Sequence, residues 1–287
     1  MINVPVAAEV VFHIGWFPVT NAQVNATVAL LILTVIGLLV RSKVTLVPGK
    51  LQNAVEGVIE WVLGYFDQVT RDREKSKEFL PLVGTLFFFI LLSNWMGLLP
   101  GTGSIGFWHT VGGVKEWIPL FRPAMSDLNL TLAMALVSVV CAHGVAAARL
   151  GWWTHFNKFF QFEKVWKAVV SLKPMDILTS LIEFVVGLIE LVGEFAKVAS
   201  LSLRLFGNVF AGEVLMTVIA SLVAFLVPLP FMALELIVGL VQATVFAMLT
   251  LVYLTVLSMP PHGEHAEHED KHEVSVENKK LHSAPAA

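Results

Sequence analysis

Between Pro174 and Pro228 the chain runs for 53 residues without a proline, and most of them are apolar. As one straight α-helix this stretch would reach roughly 80 Å, against about 30 Å of hydrocarbon in a bilayer. Either it breaks near Gly187, Gly193 or Gly207, or it runs steeply oblique to the membrane normal. The same stretch carries Glu183, Glu190, Glu194, Lys197, Arg204 and Glu213. A charge at bilayer depth costs about 3 kcal/mol on insertion scales, so six ionisable groups are not the mark of a passive anchor. The bland alternative is an amphipathic helix with its charges in water. The apolar flanks of the segment speak against that.

With 56% hydrophobic and 14% charged residues and a mean hydropathy of +0.75, the chain reads as an all-α polytopic membrane protein. Its single cysteine, Cys141, excludes an intrachain disulfide. The net charge of -3 is matched by the tail from His262 to Ala287, which holds six carboxylates and three lysines. The remainder is balanced.

Five spans and one non-spanning helix are expected. Residues 24–40 form a first span of about minimum length. No Lys or Arg precedes it, so it lacks the positive flank of a secretory signal and reads as retained. Residues 51–70 place Leu51, Val55, Val58, Ile59, Val62, Tyr65, Phe66 and Val69 near helical spacing among polar residues. That pattern suits a helix in the membrane interface, against a partner, or on the protein's own surface. Residues 79–99 span and lead into a Gly-rich loop, 101–113. Residues 128–148 span after Asp127, an N-cap candidate. Residues 176–226 and 231–258 complete the set. This divides the chain into an extracytoplasmic segment 1–23, a membrane domain 24–258 and a soluble, disordered His/Glu-rich tail 259–287.

Loop charges alternate. No Lys or Arg precedes the first span; Arg41, Lys43, Lys50, Arg71, Arg73, Lys75 and Lys77 follow it; Lys115 and Arg122 are the only cations in 100–127. Arg149, Lys158, Lys164, Lys167 and Lys173 occupy 149–175, and the next turn has none. The positive-inside rule then puts the N-terminus outside and the C-terminus in the cytoplasm. That parity requires five crossings, which favours one tilted element over two spans in 176–226.

Glu183, Glu190, Lys197 and Arg204 are each seven residues apart and fall near one helical stripe. Glu194 is within side-chain reach of both Glu190 and Lys197, and Asn208 continues the face of Arg204. Glu213, nine residues past Arg204, lies about 180° around, toward a different neighbour. Glu235 and Gln242 form a second stripe on the last span. Two such stripes suit an ion pathway or facing access channels. Buried ion pairs stabilising a bundle are the alternative. They account for Glu190 and Lys197, but less well for Arg204, which has no acid three or four residues away.

Ser200-Leu201-Ser202-Leu203-Arg204-Leu205-Phe206-Gly207-Asn208, continuing to Ala211-Gly212-Glu213, resembles the signature of subunit a of bacterial F-type ATP synthases. So do Asn94 with Gly97-Leu98-Leu99-Pro100, the run Asp127 to Leu132, and Gln242 ahead of Thr250-Leu251-Val252-Tyr253-Leu254. Together these cover about residues 25–258 in the family's order.

The resemblance implies a non-catalytic stator subunit in a bacterial cell membrane. Its implied partners are the c-subunit ring, the b-subunit peripheral stalk, the rest of the F1Fo complex and membrane lipid. It implies no nucleic acid, cofactor or resident metal. Two half-channels would carry protons to and from the c-ring carboxylates, with Arg204 separating them. Glu213, Asn208, Gln242 and Glu235 would line or shape the channels, and Glu190 would lie on the cytoplasmic side. A guanidinium stays charged and cannot relay protons, but its field favours ionisation of a nearby carboxylate.

One departure stands out. The family commonly pairs an acid with a histidine at the positions of Glu213 and Glu235, and this chain has glutamate at both. Two close carboxylates can share a proton or hold a cation, so H⁺ and Na⁺ both stay open as coupling ion. The rival from another class is a self-contained cation channel or secondary transporter, which predicts an internal repeat; none is visible. A purely structural assembly subunit is a third reading. Without a Walker motif, phosphate loop or HExxH pair, the chain alone is not an enzyme. His143 is expected to be hydrogen-bonded inside the bundle, while His109 and His155 sit in loops. The tail histidines 262, 265, 268 and 272 have helical spacing for weak Zn²⁺ or Ni²⁺ binding, although a solvated acidic tail is the simpler account.

Overall fold

The computed structural model describes residues 5–45, 47–99, 101–102, 105–111, 114–152, 174–223 and 227–258. The expectations for the tail, His155 and the lysines at 158, 164, 167 and 173 lie outside these residues. Among the described residues six long helices carry the fold: α1 Asn21–Ser42, α2 Lys50–Thr70, α3 Arg73–Gly97, α4 Leu128–Leu150, α5 Pro174–Leu222 and α6 Pro228–Leu257. All except α2 are long and apolar enough to cross a membrane.

α5 is one continuous helix of 49 residues, so the long proline-free stretch does not break at its glycines. At roughly 74 Å it crosses a bilayer only obliquely. Leu201, Leu205 and Val209 recur at four-residue spacing and are buried on one face of α5, whereas Val192, Phe195 and Leu203 are exposed. Close approach at the centre of the bundle depends on small side chains: Ala135, Ala142 and Ala146 on α4, and Ala243 and Ala247 on α6, are all buried. Hydroxyl pairs fasten the same seams, Thr131 with Ser202 at 3.2 Å and Ser138 with Thr250 at 2.8 Å. Such interhelical bonds contribute about 0.6 kcal/mol each in a bilayer.

Helix starts follow local chemistry. Thr20 and Gln23 form a capping box on α1. Asp127 caps α4, its carboxylate accepting from Asn129 N at 2.9 Å. Asp127→Ala should therefore cost about 1 kcal/mol, read as a lower unfolding temperature of the detergent-solubilised protein. The third helix begins six residues before the expected 79, at Arg73, because Asp72 caps it and Glu74 pairs with Lys77 at 2.9 Å. A charged first turn is helix-competent without being apolar.

Only the second half of α2 is docked on the bundle. Val62, Leu63 and Phe66 are buried, while Leu51, Val58, Trp61 and Tyr65 stay exposed. Of the roles open to this amphipathic helix, packing on the protein's own surface is met in part, and an apolar face remains uncovered.

Two antiparallel hairpins were not expected. β1 Val10–Ile14 pairs with β2 Phe17–Thr20, and β3 Gly106–Val111 pairs with β4 Val114–Pro119. The second replaces most of the expected Gly-rich loop and puts His109 in a strand. Gly106 is required there, since a Cβ would collide with the carbonyl of Ile118 across the hairpin.

Candidate ion pathway

The bundle holds an internal cavity of about 550 Å³ where α3 ends and α4 and α6 begin. Asn94, Arg122, Glu213, Glu235 and Gln242 all line it. The sequence placed Glu213, Glu235 and Gln242 in one functional set, and here they share one space. Arg122, counted only as a loop charge in the sequence reading, proves to be its most buried cation, 3% exposed.

Arg122 is held from several sides. Its Nε lies 2.8 Å from Oε1 and 3.1 Å from Oε2 of Glu213. Nη1 donates to the carbonyl of Ala7 at 3.1 Å, and Nη2 to that of Pro5 at 2.8 Å. Its own carbonyl accepts from Asn25 Nδ2 of α1 at 2.8 Å, and Asn21 Nδ2 holds the carbonyl of Pro119 at 3.2 Å. The next residue, Pro123, packs so tightly on α3 that a Cβ at Gly97 would lie 2.7 Å from its Cγ. Three elements thus fix the arginine against α5. The nearest sequence signal was a lone cation in Phe121-Arg122-Pro123, five residues ahead of Asp127. Nothing in the sequence linked it to a residue 91 positions away.

Glu213 therefore has an arginine as its counter-charge. Glu235 makes no hydrogen bond or ion pair among the described residues; its carboxylate rests against Gly212, where any Cβ would collide with it. The two acids open on the same cavity, but only one carries a fixed cation.

Between α5 and α6, Asn208 Nδ2 donates to Gln242 Oε1 at 2.7 Å, tying the two helices together. The amide nitrogen of Gln242 and both side-chain polar atoms of Asn94 are buried without a hydrogen-bond partner among the described residues. A buried amide left unpaired costs about 1–3 kcal/mol. Both residues line the cavity.

Arg204 behaves differently. It is exposed on α5, and no carboxylate pairs with it among the described residues. Asn208, one turn on, is exposed on the same helix. Glu213 lies inward, as the half-turn between it and Arg204 requires.

Toward the other ends of α4 and α6, Lys197 pairs with Glu194 at 2.6 Å, not with Glu190 as the stripe suggested. The three-residue offset brings Glu194 closer than a full heptad brings Glu190. His143 is hydrogen-bonded inside the bundle as expected, its Nε2 lying 3.2 Å from Glu194 Oε2. Glu183 and Glu190 are half-buried along α5. Among the described residues no group of three metal-ligating side chains gathers.

Residues 23–255 match the model of the family described as ATP synthase A chain. The protein named ATP synthase subunit a in Mycobacterium ulcerans is 32% identical over 241 residues, covering 82% of this chain and 86% of its own. The protein of that name in Geotalea daltonii is 32% identical over 223 residues, covering 78% and 81%. In Moorella thermoacetica the identity is 29% over 244 residues, covering 85% and 93%. With this coverage on both sides, the chain belongs to the ATP synthase A chain family, as a polytopic, all-α, non-catalytic membrane subunit.

Proposed function

We propose that this chain is the membrane stator subunit of a rotary ATP synthase, carrying protons through two half-channels to and from the carboxylates of a c-subunit ring. Arg204 carries the reading. An exposed guanidinium on a spanning helix, with no carboxylate of its own among the described residues, calls for an anion from outside the chain. A ring whose carboxylates pass one at a time supplies it. Lipid would cover the remaining apolar surface, and the b-subunit stalk would hold the chain against rotation.

The cavity with Glu213, Glu235, Gln242 and Asn94 supports one half-channel, at the end where α1 and α4 begin. Loop charges make that end extracytoplasmic, with the N-terminus outside and the C-terminal tail in the cytoplasm of a bacterial cell. Glu190 belongs to the opposite half-channel. Asn208 and Gln242 sit between, shaping the limit of the first channel.

A self-contained channel or transporter predicts ion flux through the purified chain alone. In liposomes containing only this chain, an imposed K⁺ diffusion potential should drive no proton uptake above that of empty liposomes. The same potential across liposomes holding the whole membrane sector should drive rapid uptake. Flux through the chain alone would reject the stator reading. Repeating the measurement with Na⁺ gradients identifies the coupling ion.

A further inference from the structure

A second polar group lies outside the cavity. Glu194 is buried on the face of α5 that meets α4 and α6. One carboxylate oxygen accepts from Lys197 Nζ at 2.6 Å, and the other lies 3.2 Å from His143 Nε2. The Lys197 ammonium in turn sits 5.1 Å from the centre of the Tyr253 ring. His143 precedes Leu150, the end of α4, by seven residues, and Tyr253 precedes Leu257, the end of α6, by four. The group therefore sits within about 10 Å of those helix ends, opposite the cavity.

Stability alone is weak ground for such a group. Replacing a buried ion pair by apolar side chains is often neutral or stabilising, and a lysine would suffice as counter-charge. The imidazole adds something a staple does not need. One ring nitrogen can accept a proton while the other gives one up, and the His143 side chain is 22% exposed, so part of the ring reaches the bundle surface.

We propose that Glu194 and His143 form an ion-transfer step in the half-channel that opens where α4 and α6 end, with Lys197 and Tyr253 positioning the carboxylate. The proposal rests on the stator reading. A proton delivered by water converts the Glu194 carboxylate to the acid. The acid passes that proton to Nε2 of neutral His143 and becomes carboxylate again. The imidazolium releases a ring proton to water reached through the exposed part of its side chain, and exchange with water returns the ring to its first tautomer.

The test compares Glu194→Gln, Glu194→Asp and His143→Gln in the assembled complex, with Arg204→Ala alongside. Passive proton conductance of the membrane sector is measured under an imposed K⁺ potential, per assembled complex. Glu194→Gln should lower it by at least about tenfold and His143→Gln by about threefold, while Glu194→Asp keeps most of it. Glutamine preserves size and can still hydrogen-bond to His143. Conductance within about twofold of the parent in Glu194→Gln would therefore reduce the group to a structural tie and overturn the proposal. If Glu194→Gln assembles poorly, Glu194→Cys in a Cys141→Ser background is exposed to Ag⁺. Block of conductance is then expected, and undiminished conductance overturns the proposal. Loss of ATP-driven pumping in Arg204→Ala with normal conductance in Glu194→Gln rejects this step alone. Normal pumping in Arg204→Ala rejects the stator reading beneath it.

Discussion

Arg204→Ala should abolish ATP-driven proton pumping by the assembled complex, a loss of about 100-fold or more, while the chain still co-purifies with the rest of that complex. The geometry separates these two outcomes. Arg204 is exposed and pairs with no carboxylate among the described residues, so its removal breaks no internal contact of the kind that holds α5 in the bundle. The packing of α5 rests on Leu201, Leu205 and Val209, which the substitution leaves alone. What is lost is a permanent positive charge on the exposed face of α5, the face proposed to meet the ring. On the proposed stator reading, a passing carboxyl group then has less reason to release its proton, and the barrier between the two proposed channels is gone. Each proton that leaks wastes about 2.3 kcal/mol per 100 mV. Arg204→Lys should recover little, because an ammonium is a compact point charge that can lose its proton when desolvated. Acidification of inverted vesicles, followed by quenching of an acridine dye, reads the effect. Undiminished pumping would leave only a structural role for the residue.

The same residue shows why the sequence was informative here. A charge in lipid is costly enough to be conspicuous, so Arg204, Glu213 and Glu235 were visible against an apolar background. Span existence was legible for the same reason, and the unbroken course of α5 followed from the crossing parity set by loop charges. Boundaries were less so: the charged first turn of α3 has no hydropathy signal, only the cap at Asp72. The β3–β4 hairpin was hidden because its strands are short and sit among glycines that read as a loop. Arg122 was hidden by distance. Its partners are Glu213 and the carbonyls of Pro5 and Ala7, none within helical reach of it along the chain. A lone cation in a loop looks like a topology signal until the fold buries it, and only tertiary contact says which it is. The pairing of Lys197 with Glu194 in preference to Glu190 was within reach of the sequence, since a three-residue spacing brings side chains closer than a heptad does.

Breaking the Arg122–Glu213 pair should show that it does more than hold the bundle together. Removing one partner of a buried ion pair leaves the other charge stranded and costs about 3–5 kcal/mol. Arg122→Gln and Glu213→Gln should each lower the thermal stability of the complex, Arg122→Gln the more, because it also releases the segment at Pro5 and Ala7. The double variant removes both charges at once. Its loss of stability should fall short of the sum of the two single losses by about 1–3 kcal/mol, the coupling expected of groups in contact. Pumping should not follow. Glu213 is the one cavity acid with a fixed cation, while Glu235 has none among the described residues. A glutamine pair restores the packing between α5 and the Arg122 segment but offers nothing that binds and releases a proton. Proton pumping is therefore expected to stay at least about tenfold below the parent in the double variant, even though the complex melts above the temperature that the two single effects would add up to. Recovery of both together would make the pair a structural tie and leave Glu235 as the acid that serves the cavity.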